Sequence, residues 1–364
     1  MPYSPLLSIC IPCYRAEQLL PVVLDALMPQ ADEMRDIVEV VIADDSPDNE
    51  TERTIIGGSW CDKVRLIQNP QNLGMSPNIV NCLTKHARGE YVWIWSQHCV
   101  LSPGALSRIA NHLKSFAHID AFYVNFNCAS YPKHWPQSDE QIAHPHVEYV
   151  ANDQTKSEVV TRWEMLLNLQ SAYCTQTYAH ILRTQLAKDH WKNRSIGREF
   201  TDARDTFAQS CTVAETMFGK PAFYIGEPVF TIYNGAQTWS SLSQRSRVYL
   251  SAFPHLVRIY RKLGLRGSQL AEAEKYASAK AGSVFSDMLK SKDEMSWKAV
   301  WKYLLRYGRN KNATTTIRQA FTKSNYNAVS RLMDRSSQWL NSAYQYVFFR
   351  CRPARWFHRQ FERE

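Results

Sequence analysis

Residues 37–46 read Ile-Val-Glu-Val-Val-Ile-Ala-Asp-Asp-Ser, an apolar run that ends at two neighbouring carboxylates. A short run rich in β-branched residues is typical of a buried strand. Further strand-like runs lie at 6–11, 64–67 and 91–95, and helical patterns lie between them at 17–28, 50–56 and 77–87. Strands that alternate with helices predict a parallel sheet covered by helices on both faces.

The rest of the chain continues this alternation and then becomes helical. The pattern predicts a helix after residue 103, a strand at 121–126, a long loop at 128–160, helices at 161–169, 179–188 and 202–217, and a strand pair at 222–225 and 229–233. From Trp239 onward the chain is expected to be helical, with a break at 263–268. Ser76 is the expected N-cap of the helix at 77–87, and Ser102 that of the following helix.

Composition indicates a globular protein kept in a reducing compartment. The chain has 364 residues, of which 45% are hydrophobic and 21% charged, so a disordered protein is not expected. Its nine cysteines are scattered and odd in number, which argues against a disulfide framework. Cys10 and Cys13 lie along the first strand, where a redox pair is not expected. We see neither a signal peptide nor an apolar stretch of about 18 residues, and expect a cytoplasmic protein.

The basic charge is concentrated at the C-terminus. Residues 296–364 contain 14 Lys and Arg against 3 Asp and Glu, whereas the residues before them contain 29 against 31. Trp297 and Trp301 follow helical spacing with Lys298 and Lys302 on other faces, and residues 339–359 repeat the pattern. Basic amphipathic helices with aromatic residues are typical of an anionic membrane surface. A docked helical bundle with a solvated basic face remains the alternative, and nucleic acid is not expected as a partner.

In parallel sheets, ligands bind beyond the carboxyl ends of the strands. The residues at and after those ends are therefore candidates for a ligand site: Pro12, Tyr14, Arg15, Asp44, Asp45, Asn72, Gly74, Asn78, Gln97 and His98. Asp44 and Asp45 are also good turn formers, so an ordinary turn remains open.

Several of these segments together resemble the family-2 glycosyltransferases of the GT-A fold. The segments are Ser8-Ile9-Cys10-Ile11-Pro12-Cys13-Tyr14-Arg15, Val41-Ile42-Ala43-Asp44-Asp45-Ser46, Asn72-Leu73-Gly74 with Ser76 and Asn78, Gly89-Glu90-Tyr91, and Pro103-Gly104-Ala105-Leu106. The resemblance covers about residues 5–240 and implies a sugar-nucleotide ligand, whose base or ribose is contacted by a carboxylate, with Asp45 the first candidate and Asp44 the second, and whose phosphates are bound by amides and cations. It implies an α/β GT-A fold with a Rossmann-like, mostly parallel sheet: a nucleotide-sugar-binding half at 1–105, an acceptor-binding half at 106–240 and a basic helical region at 241–364.

The family's metal motif is an Asp-x-Asp, and here that position reads Gln97-His98-Cys99. Hard cations such as Mg²⁺ and Mn²⁺ prefer oxygen ligands, so a site without carboxylates binds them weakly. Three alternatives stay open: a leaving group stabilised without metal, a weak Mn²⁺ or Mg²⁺ site assisted by His98, or a non-catalytic fold. His134, His144 and His146 are interpreted as ordinary loop residues rather than as a metal cluster.

An inverting transfer needs a general base near the acceptor hydroxyl. The resemblance places it in residues 199–205, where Asp202 is the first candidate, with Asp205 and Glu199 behind it, and Thr201 the expected N-cap of the helix. Acidic residues are also favoured in a first helical turn for electrostatic reasons alone. Residues 234–239 resemble the closing segment of O-antigen sugar transferases, and Gln237 and Trp239 are candidates for acceptor binding. A simply packed loop remains the alternative.

The resemblance thus implies a hexosyl- or deoxyhexosyltransferase that uses a nucleotide-diphosphate sugar. Its expected acceptor is a lipid-linked glycan of bacterial surface polysaccharide, such as O-antigen lipopolysaccharide or capsule, at the inner face of the cell membrane. The alternative is a non-catalytic glycosyltransferase-like subunit that binds a partner enzyme or a glycan. A nucleotidyltransferase is disfavoured because no Gly-rich, Lys- or Arg-bearing phosphate loop lies near the N-terminus.

Overall fold

The computed structural model describes residues 4–167, 175–197, 200–236 and 241–290. The chain divides into two compact units, one formed by residues 1–238 with 259–265 and the other by residues 239–258 with 266–364. The first unit contains all the strands of the described residues. These are β1 Leu7–Cys13, β2 Val38–Asp44, β3 Arg65–Gln68, β4 Tyr91–Ile94, β5 Cys99–Leu101, β6 Ala121–Val124, β7 Asn127–Ser130, β8 Tyr149–Val150, β9 Glu158–Val160, β10 His180–Arg183, β11 Ala222–Ile225 and β12 Phe230–Asn234.

Helices connect the strands of the first unit and make up the described part of the second. They are α1 Leu20–Glu33, α2 Glu50–Gly57, α3 Met75–Asn81, α4 Ala105–Ser115, α5 Asp139–Ala143, α6 Thr184–Trp191, α7 Ala208–Met217, α8 Leu242–Arg247, α9 Phe253–Leu263 and α10 Gly267–Lys290. A π-helical turn, Cys82–His86, extends α3, and another, Val248–Ala252, joins α8 to α9.

The main sheet has eight strands in the order β3-β2-β1-β4-β10-β6-β11-β9. The strands β3, β2, β1 and β4 are parallel, as are β6 and β11, whereas β10 and β9 run antiparallel to their neighbours. This confirms the predicted α/β fold with a mostly parallel sheet. Every residue of β4 is buried, as expected for a strand with both faces covered.

A second, four-stranded sheet has the order β5-β12-β7-β8. Here β12 is parallel to β7 and antiparallel to β5, and β7 is antiparallel to β8. Two predictions are corrected by this sheet. The stretch 128–160 is not a plain loop, since it contributes β8, β9, α5 and most of β7. The strands at 222–225 and 229–233 do not pair with each other, because β11 belongs to the main sheet and β12 to the small one.

The prediction of a single helix at 179–188 is wrong for its first half. Residues His180–Arg183 form β10, which fills the gap between β4 and β6, and α6 begins only at Thr184. A short apolar run does not distinguish strand from helix by its period, and the unoccupied position between two strands decides it. The helix predicted at 202–217 likewise begins only at Ala208.

Two glycines, rather than serines, begin the helices that follow the sheet. Gly74 is the N-cap of α3 with φ +88°, and Gly104 is the N-cap of α4 with φ +67°. Both backbones lie at positive φ, where glycine is least strained. The predictions of Ser76 and Ser102 as N-caps are therefore wrong, and Ser76 lies buried inside α3.

Aromatic side chains fill the core between the two sheets. The rings of Trp93 and Trp95 lie 4.5 Å apart, Trp95 and Phe230 5.0 Å, and Phe230 and Phe126 5.2 Å. These four side chains are almost completely buried. Each buried aromatic side chain of this size contributes about 1.5–3 kcal/mol, so the cluster is a major source of the unit's stability.

The second unit has its own helix contacts. Ser241 and Gln244 form a capping box at the start of α8, in which the Ser241 hydroxyl accepts a hydrogen bond from the Gln244 amide. Arg245 is paired with Asp287 of α10 at 2.6 Å, and the Phe253 and Tyr276 rings lie 5.4 Å apart. In residues 4–167, 175–197, 200–236 and 241–290, no helix combines the length and apolar character needed to cross a bilayer. The amphipathic helices predicted at 297–305 and 339–348 lie outside the described residues.

Arg183 joins β10 to both of its neighbours. Its guanidinium donates to Asp120 at 2.6 Å, to Glu90 at 2.5 Å and to the Tyr91 hydroxyl at 2.8 Å, and it lies over the Tyr91 ring. The side chain is only 23% exposed. Because hydrogen bonds to charged groups are strong when shielded from water, this residue fixes the inserted strand in place.

We predict that Arg183→Met lowers the free energy of unfolding by about 2–3 kcal/mol, because it leaves two carboxylates without their cation. The matched control is Arg53→Met, which removes an exposed pair with Glu50 and is expected to cost at most about 1 kcal/mol. Urea denaturation of both variants measures the difference. Equal losses in the two variants would contradict the role given to Arg183.

Candidate functional site

The carboxyl ends of β1, β2 and β3 lie side by side at one edge of the main sheet. Cys13 is in register with Asp44, and Asp44 with Gln68. The backbone pairing runs one step further, since the Asp45 amide donates to the Cys13 carbonyl at 2.9 Å and the Asn69 amide to the Asp44 carbonyl at 2.9 Å. The loops after these strands therefore meet where the sequence predicted a ligand site.

Asp45 connects the loop after β2 to the loop after β3. Its Oδ1 accepts hydrogen bonds from the Leu73 amide at 2.8 Å and the Asn69 side-chain amide at 3.0 Å, and its Oδ2 accepts one from the Gly74 amide at 2.8 Å. Only 4% of Asp45 is exposed. Both oxygens are therefore engaged within the protein, and the carboxylate shapes the loop that begins α3.

Asp44 differs from its neighbour in having one oxygen without a normal hydrogen bond. Its Oδ1 accepts from the Ser46 hydroxyl at 2.6 Å and the Ser46 amide at 3.1 Å. The buried Oδ2 has no hydrogen-bond partner of normal geometry within the described residues. Burial raises the pKa of Asp44, and the Ser46 hydroxyl and amide and the Gln68 side chain offset part of that rise. A buried carboxylate oxygen of this kind is costly unless something donates to it.

The predicted asparagines have mainly structural partners. Asn78 is buried, donates to the Ala43 carbonyl at 2.8 Å and accepts from Asn69 at 3.1 Å. The exposed Asn72 accepts a hydrogen bond from the Gly74 amide at 2.9 Å, within its own turn. Together with Asp45 they hold the 69–78 segment against the end of β2.

The loop after β1 carries the exposed cation of this edge. Arg15 adopts φ +50°, its amide donates to the Ser46 hydroxyl at 2.8 Å, and its guanidinium lies 3.8 Å from Asp48. The side chain is 57% exposed and lies over the half-buried Tyr14 ring. Positive φ is strained for a residue with a side chain and is common at functional turns. Pro12 is half-buried at the strand end.

The fourth loop, between β4 and β5, is held by neutral groups. Gln97 Oε1 accepts a hydrogen bond from the Tyr14 amide at 3.2 Å, which joins this loop to the loop after β1. The Trp95 indole N–H donates to the Cys99 carbonyl at 3.1 Å, and His98 Nδ1 lies 2.9 Å from the Ser96 hydroxyl. Burial lowers the pKa of His98 to about 4, so the imidazole is neutral near pH 7.

These residues do not fit a Mg²⁺ or Mn²⁺ ion at the 96–99 loop. The loop contains no carboxylate, Gln97 Oε1 is already an acceptor for the Tyr14 amide, and burial raises the pKa of the Cys99 thiol well above its usual value. A hard cation that bridges protein and diphosphate needs carboxylate or other free oxygen ligands. Metal chemistry at this loop therefore has no support from the donor set.

Of the candidates for the general base, Asp202 and Asp205 lie in turns before α7. Asp205 is buried and accepts from the Gly197 amide at 2.7 Å and the Thr201 hydroxyl at 2.5 Å. Asp202 is half-buried, and its Oδ1 accepts from the amides of Arg204 at 2.7 Å and Asp205 at 3.0 Å. Thr201 is thus a partner of Asp205 and not the N-cap of α7, which is Phe207. Glu199 lies outside the described residues, as do Gln237 and Trp239.

An ion cluster fixes the segment that carries these aspartates. Glu215 of α7 is paired with Arg194 at 2.5 Å, with Arg204, and with His190 at 3.6 Å. The two arginines together lower the pKa of Glu215 despite its partial burial. Because α7 packs against α3, this segment lies on the side of the sheet that carries the 69–78 loop.

Another group of side chains lies outside this edge, at the end of the small sheet. Atoms of His134, His146 and Glu148 that could bind a metal ion lie within 4.8 Å of one another. His134 and His146 lie between β7 and β8, outside helices and strands, as predicted for loop residues. The sequence does not by itself place Glu148 beside His134, although Glu148 follows His146 by only two residues.

The four loops form one connected edge. Hydrogen bonds link β1 to β2 through Arg15 and Ser46, β2 to β3 through Asp45 and Gly74, and β1 to β4 through Tyr14 and Gln97. The edge offers a buried carboxylate oxygen, an exposed guanidinium and a neutral imidazole. This set suits a ligand with N–H or O–H donors at one end and anionic oxygens at the other.

Residues 8–175 match the sequence profile of glycosyl transferase family 2. This confirms the resemblance that the motifs indicated. No curated protein sequence matches the chain significantly.

Among solved structures, TarS from S. aureus is similar, with a TM-score of 0.53 and 17% sequence identity over 88% of this chain and 50% of that chain. The chain thus spans half the length of that protein. A structure of TarS residues 1–349 in complex with UDP has a TM-score of 0.52 and 17% identity, over 97% of this chain and 91% of that chain. Identities this low show a shared fold, that of the GT-A glycosyltransferases.

We predict that His98 stays neutral in the folded protein down to about pH 4. Since unfolded histidine titrates near pH 6.5, the unfolded state binds up to about one more proton than the folded state between pH 6.5 and pH 4. The stability that His98 contributes is therefore present above pH 6.5 and is lost as the pH falls towards 4.

The measurement is the imidazole NMR titration, with His98→Asn to assign the signal and to show a shallower loss of stability on acidification. A His98 signal that titrates near pH 6.5, or identical acid profiles for the two proteins, would contradict the assignment.

Proposed function

From the glycosyl transferase family 2 domain at residues 8–175, we propose that the protein transfers a hexosyl or deoxyhexosyl group from a nucleoside-diphosphate sugar to a glycan acceptor, with inversion at the anomeric carbon. The observation that carries the proposal is the edge formed by the four loops, where Asp44 Oδ2 is a buried acceptor without a normal donor. The UDP bound by the similar TarS structure supports a nucleotide as the donor's leaving part.

In the proposed complex, the base or ribose of the nucleotide donates a hydrogen bond to Asp44. Asp44 Oδ2 is buried. The side chains around it therefore move as the nucleotide enters. Asp45, the stronger candidate from sequence, has both oxygens engaged by the 69–74 segment. In this proposal it shapes the site, and the direct contact belongs to Asp44. Pro12 and Tyr14 line the base pocket.

The diphosphate is proposed to leave without a bridging metal. The Arg15 guanidinium is exposed at the edge, and such a group binds phosphate oxygens through two parallel N–H donors. Neutral His98 adds an N–H donor to the same oxygens. Preorganised donors of this kind stabilise charge that develops on a leaving group. A weakly bound Mn²⁺ or Mg²⁺ is the alternative that the donor measurement below tests.

The transfer itself is proposed to be a direct displacement. The acceptor hydroxyl oxygen forms a bond to the anomeric carbon, the bond from that carbon to the diphosphate oxygen breaks, and its electron pair stays on the diphosphate. The hydroxyl proton passes to the carboxylate of Asp202, which is less buried than Asp205. Gln237 and Trp239 remain the proposed contacts of the acceptor sugar, and Glu199 the reserve candidate for the base.

We propose a lipid-linked glycan of bacterial surface polysaccharide as the acceptor, reached from the cytoplasmic leaflet of the cell membrane. The support is the strongly basic composition of residues 296–364, with Trp297 and Trp301 at helical spacing and a second amphipathic pattern that begins at Trp339. Each Lys or Arg close to an anionic leaflet adds about 1 kcal/mol of attraction. In this proposal, the basic residues also concentrate the enzyme at the membrane surface, where the lipid-linked acceptor lies.

One prediction of the proposed function concerns the sugar-nucleotide donor. Among UDP-, GDP-, dTDP- and CDP-sugars, one class is expected to raise the melting temperature equally with and without Mn²⁺ and to release nucleoside diphosphate. Asp44→Asn is expected to weaken its binding by about 10- to 100-fold, the loss of a hydrogen bond to a charged group. Calorimetric titration measures this.

Asp62→Asn is the matched control, because Asp62 is exposed and precedes β3 at the opposite edge of the sheet. It is expected to leave binding unchanged. Stabilisation only with Mn²⁺ would overturn the metal-free mechanism. Failure of every donor to bind would overturn the proposed function and favour a non-catalytic subunit. The observation that favours this alternative is the absence of carboxylates from the 96–99 loop.

Another prediction concerns binding of residues 296–364 to a membrane surface. The full chain is expected to float with vesicles that contain about 30% anionic lipid and to stay in the soluble fraction with neutral vesicles, because its tail is basic. A truncation after residue 290 is expected to lose flotation while keeping donor binding. Equal flotation of both proteins would contradict the role given to the tail.

A further inference from the structure

A group of histidine and glutamate side chains lies at the end of the small sheet, outside the edge described above. His134 follows β7, and His146 and Glu148 precede β8, the antiparallel neighbour of β7. The antiparallel pairing brings both ends of the 131–148 connection together. His134 Nε2 lies 3.2 Å from Glu148 Oε1, and the rings of His134 and His146 are stacked with centroids 3.8 Å apart.

The spacing of these atoms is close to that of ligands around one small cation. In a tetrahedral zinc site with bonds of about 2.0–2.1 Å, neighbouring ligand atoms lie about 3.3 Å apart. The His134–Glu148 distance of 3.2 Å already matches, and all three ligand atoms lie within 4.8 Å of one another. Coordination of one ion therefore requires the exposed His146 ring to turn towards the other two ligand atoms.

The surroundings hold two of the three ligands in place. The Ser130 hydroxyl donates to Glu148 Oε2 at 2.9 Å, which leaves Oε1 directed to His134. The Glu148 amide donates to the Cys128 carbonyl and the His134 amide to the Ser130 carbonyl, both at 2.9 Å. Hydrogen bonds to the far oxygen of a metal-binding carboxylate are a regular feature of metal sites, because they orient the ligand.

We propose that His134, His146 and Glu148 bind one divalent cation of the zinc class. Two imidazoles and one carboxylate favour Zn²⁺ and its borderline neighbours over Mg²⁺ and Ca²⁺, which prefer all-oxygen sites. His134 is half-buried and the other two ligands are exposed, so the ion is reached from solvent and keeps one position for water. The bound cation ties both ends of the 131–148 connection to the sheet.

This site is separate from the 96–99 loop. His98 precedes β5, and in the order β5-β12-β7-β8 the first and last strands are three positions apart. At about 4.8 Å per strand, the strand next to Glu148 lies roughly 14 Å from the strand that follows the loop where a donor diphosphate is proposed. The site is thus no replacement for the missing carboxylates, and it does not depend on transferase activity.

The alternative is a simple His134–Glu148 ion pair with His146 stacked beside it, and metal titration distinguishes the two. The full chain, stripped with EDTA and kept reduced, is titrated with Zn²⁺ and with Co²⁺ in a calorimeter and a spectrophotometer. Cys61→Ser serves as the background, because Cys61 is the exposed thiol of the described residues. We expect one saturable ion per chain, a tetrahedral Co²⁺ spectrum without thiolate bands, and a higher melting temperature with Zn²⁺.

Variants then assign the site. His134→Ala and His146→Ala are expected to abolish the saturable binding, and Ser130→Ala to weaken it by about 10- to 100-fold through loss of the orienting hydrogen bond. His144→Ala is the matched control, since His144 is exposed in the same connection but outside the group, and it is expected to bind as tightly as the background. Melting temperatures of the metal-free variants show that they fold. Absence of saturable binding, or binding that survives His134→Ala and His146→Ala, would overturn the proposal.

Discussion

The candidate site depends on one carboxylate whose two oxygens both accept hydrogen bonds from the protein itself. Asp45 accepts hydrogen bonds from the Leu73 and Gly74 amides and from the Asn69 side chain, while its own amide continues the pairing of β2 with β1. Parallel strands bring their carboxyl ends together, but they leave the following loops without a common framework. A buried carboxylate that binds backbone amides provides this framework, because such charge-assisted hydrogen bonds are strong and directional.

Asp44, the neighbour of Asp45, differs from it in its hydrogen bonds. Asp44 is completely buried, burial raises its pKa, and one of its oxygens has no normal donor. In the proposed function, the two adjacent aspartates have different roles: Asp45 holds the loop that begins α3, and Asp44 contacts the nucleotide. The division follows from the alternation of strand residues, which directs successive side chains to opposite faces.

The loop between β4 and β5, where the resemblance predicts a metal motif, is held by contacts between neutral groups. Gln97 binds the Tyr14 amide, His98 lies against Ser96, and the Trp95 indole binds the Cys99 carbonyl. Carboxylates at these positions would repel one another without a cation. Neutral groups avoid that repulsion, and the folded loop does not require a bound ion. Among the described residues, the group of side chains that could hold a metal ion lies instead at the end of the small sheet, where His134 and Glu148 pair.

Local patterns determined the alternation of β1 to β4 with α1 to α3, the strand ends that carry the polar residues, and the family resemblance, since each depends on residues close together in the chain. Only the tertiary structure placed β10 between β4 and β6, separated β11 from β12, and moved the start of α7 to Ala208. The tertiary structure also showed that both oxygens of Asp45 accept hydrogen bonds whereas one oxygen of Asp44 does not, and it placed Glu148 next to His134. These outcomes depend on pairings between distant segments, and short apolar runs or single polar residues contain no information about their partners. The sequence therefore determined which residues reach the edge of the sheet, and long-range packing decided what each of them does there.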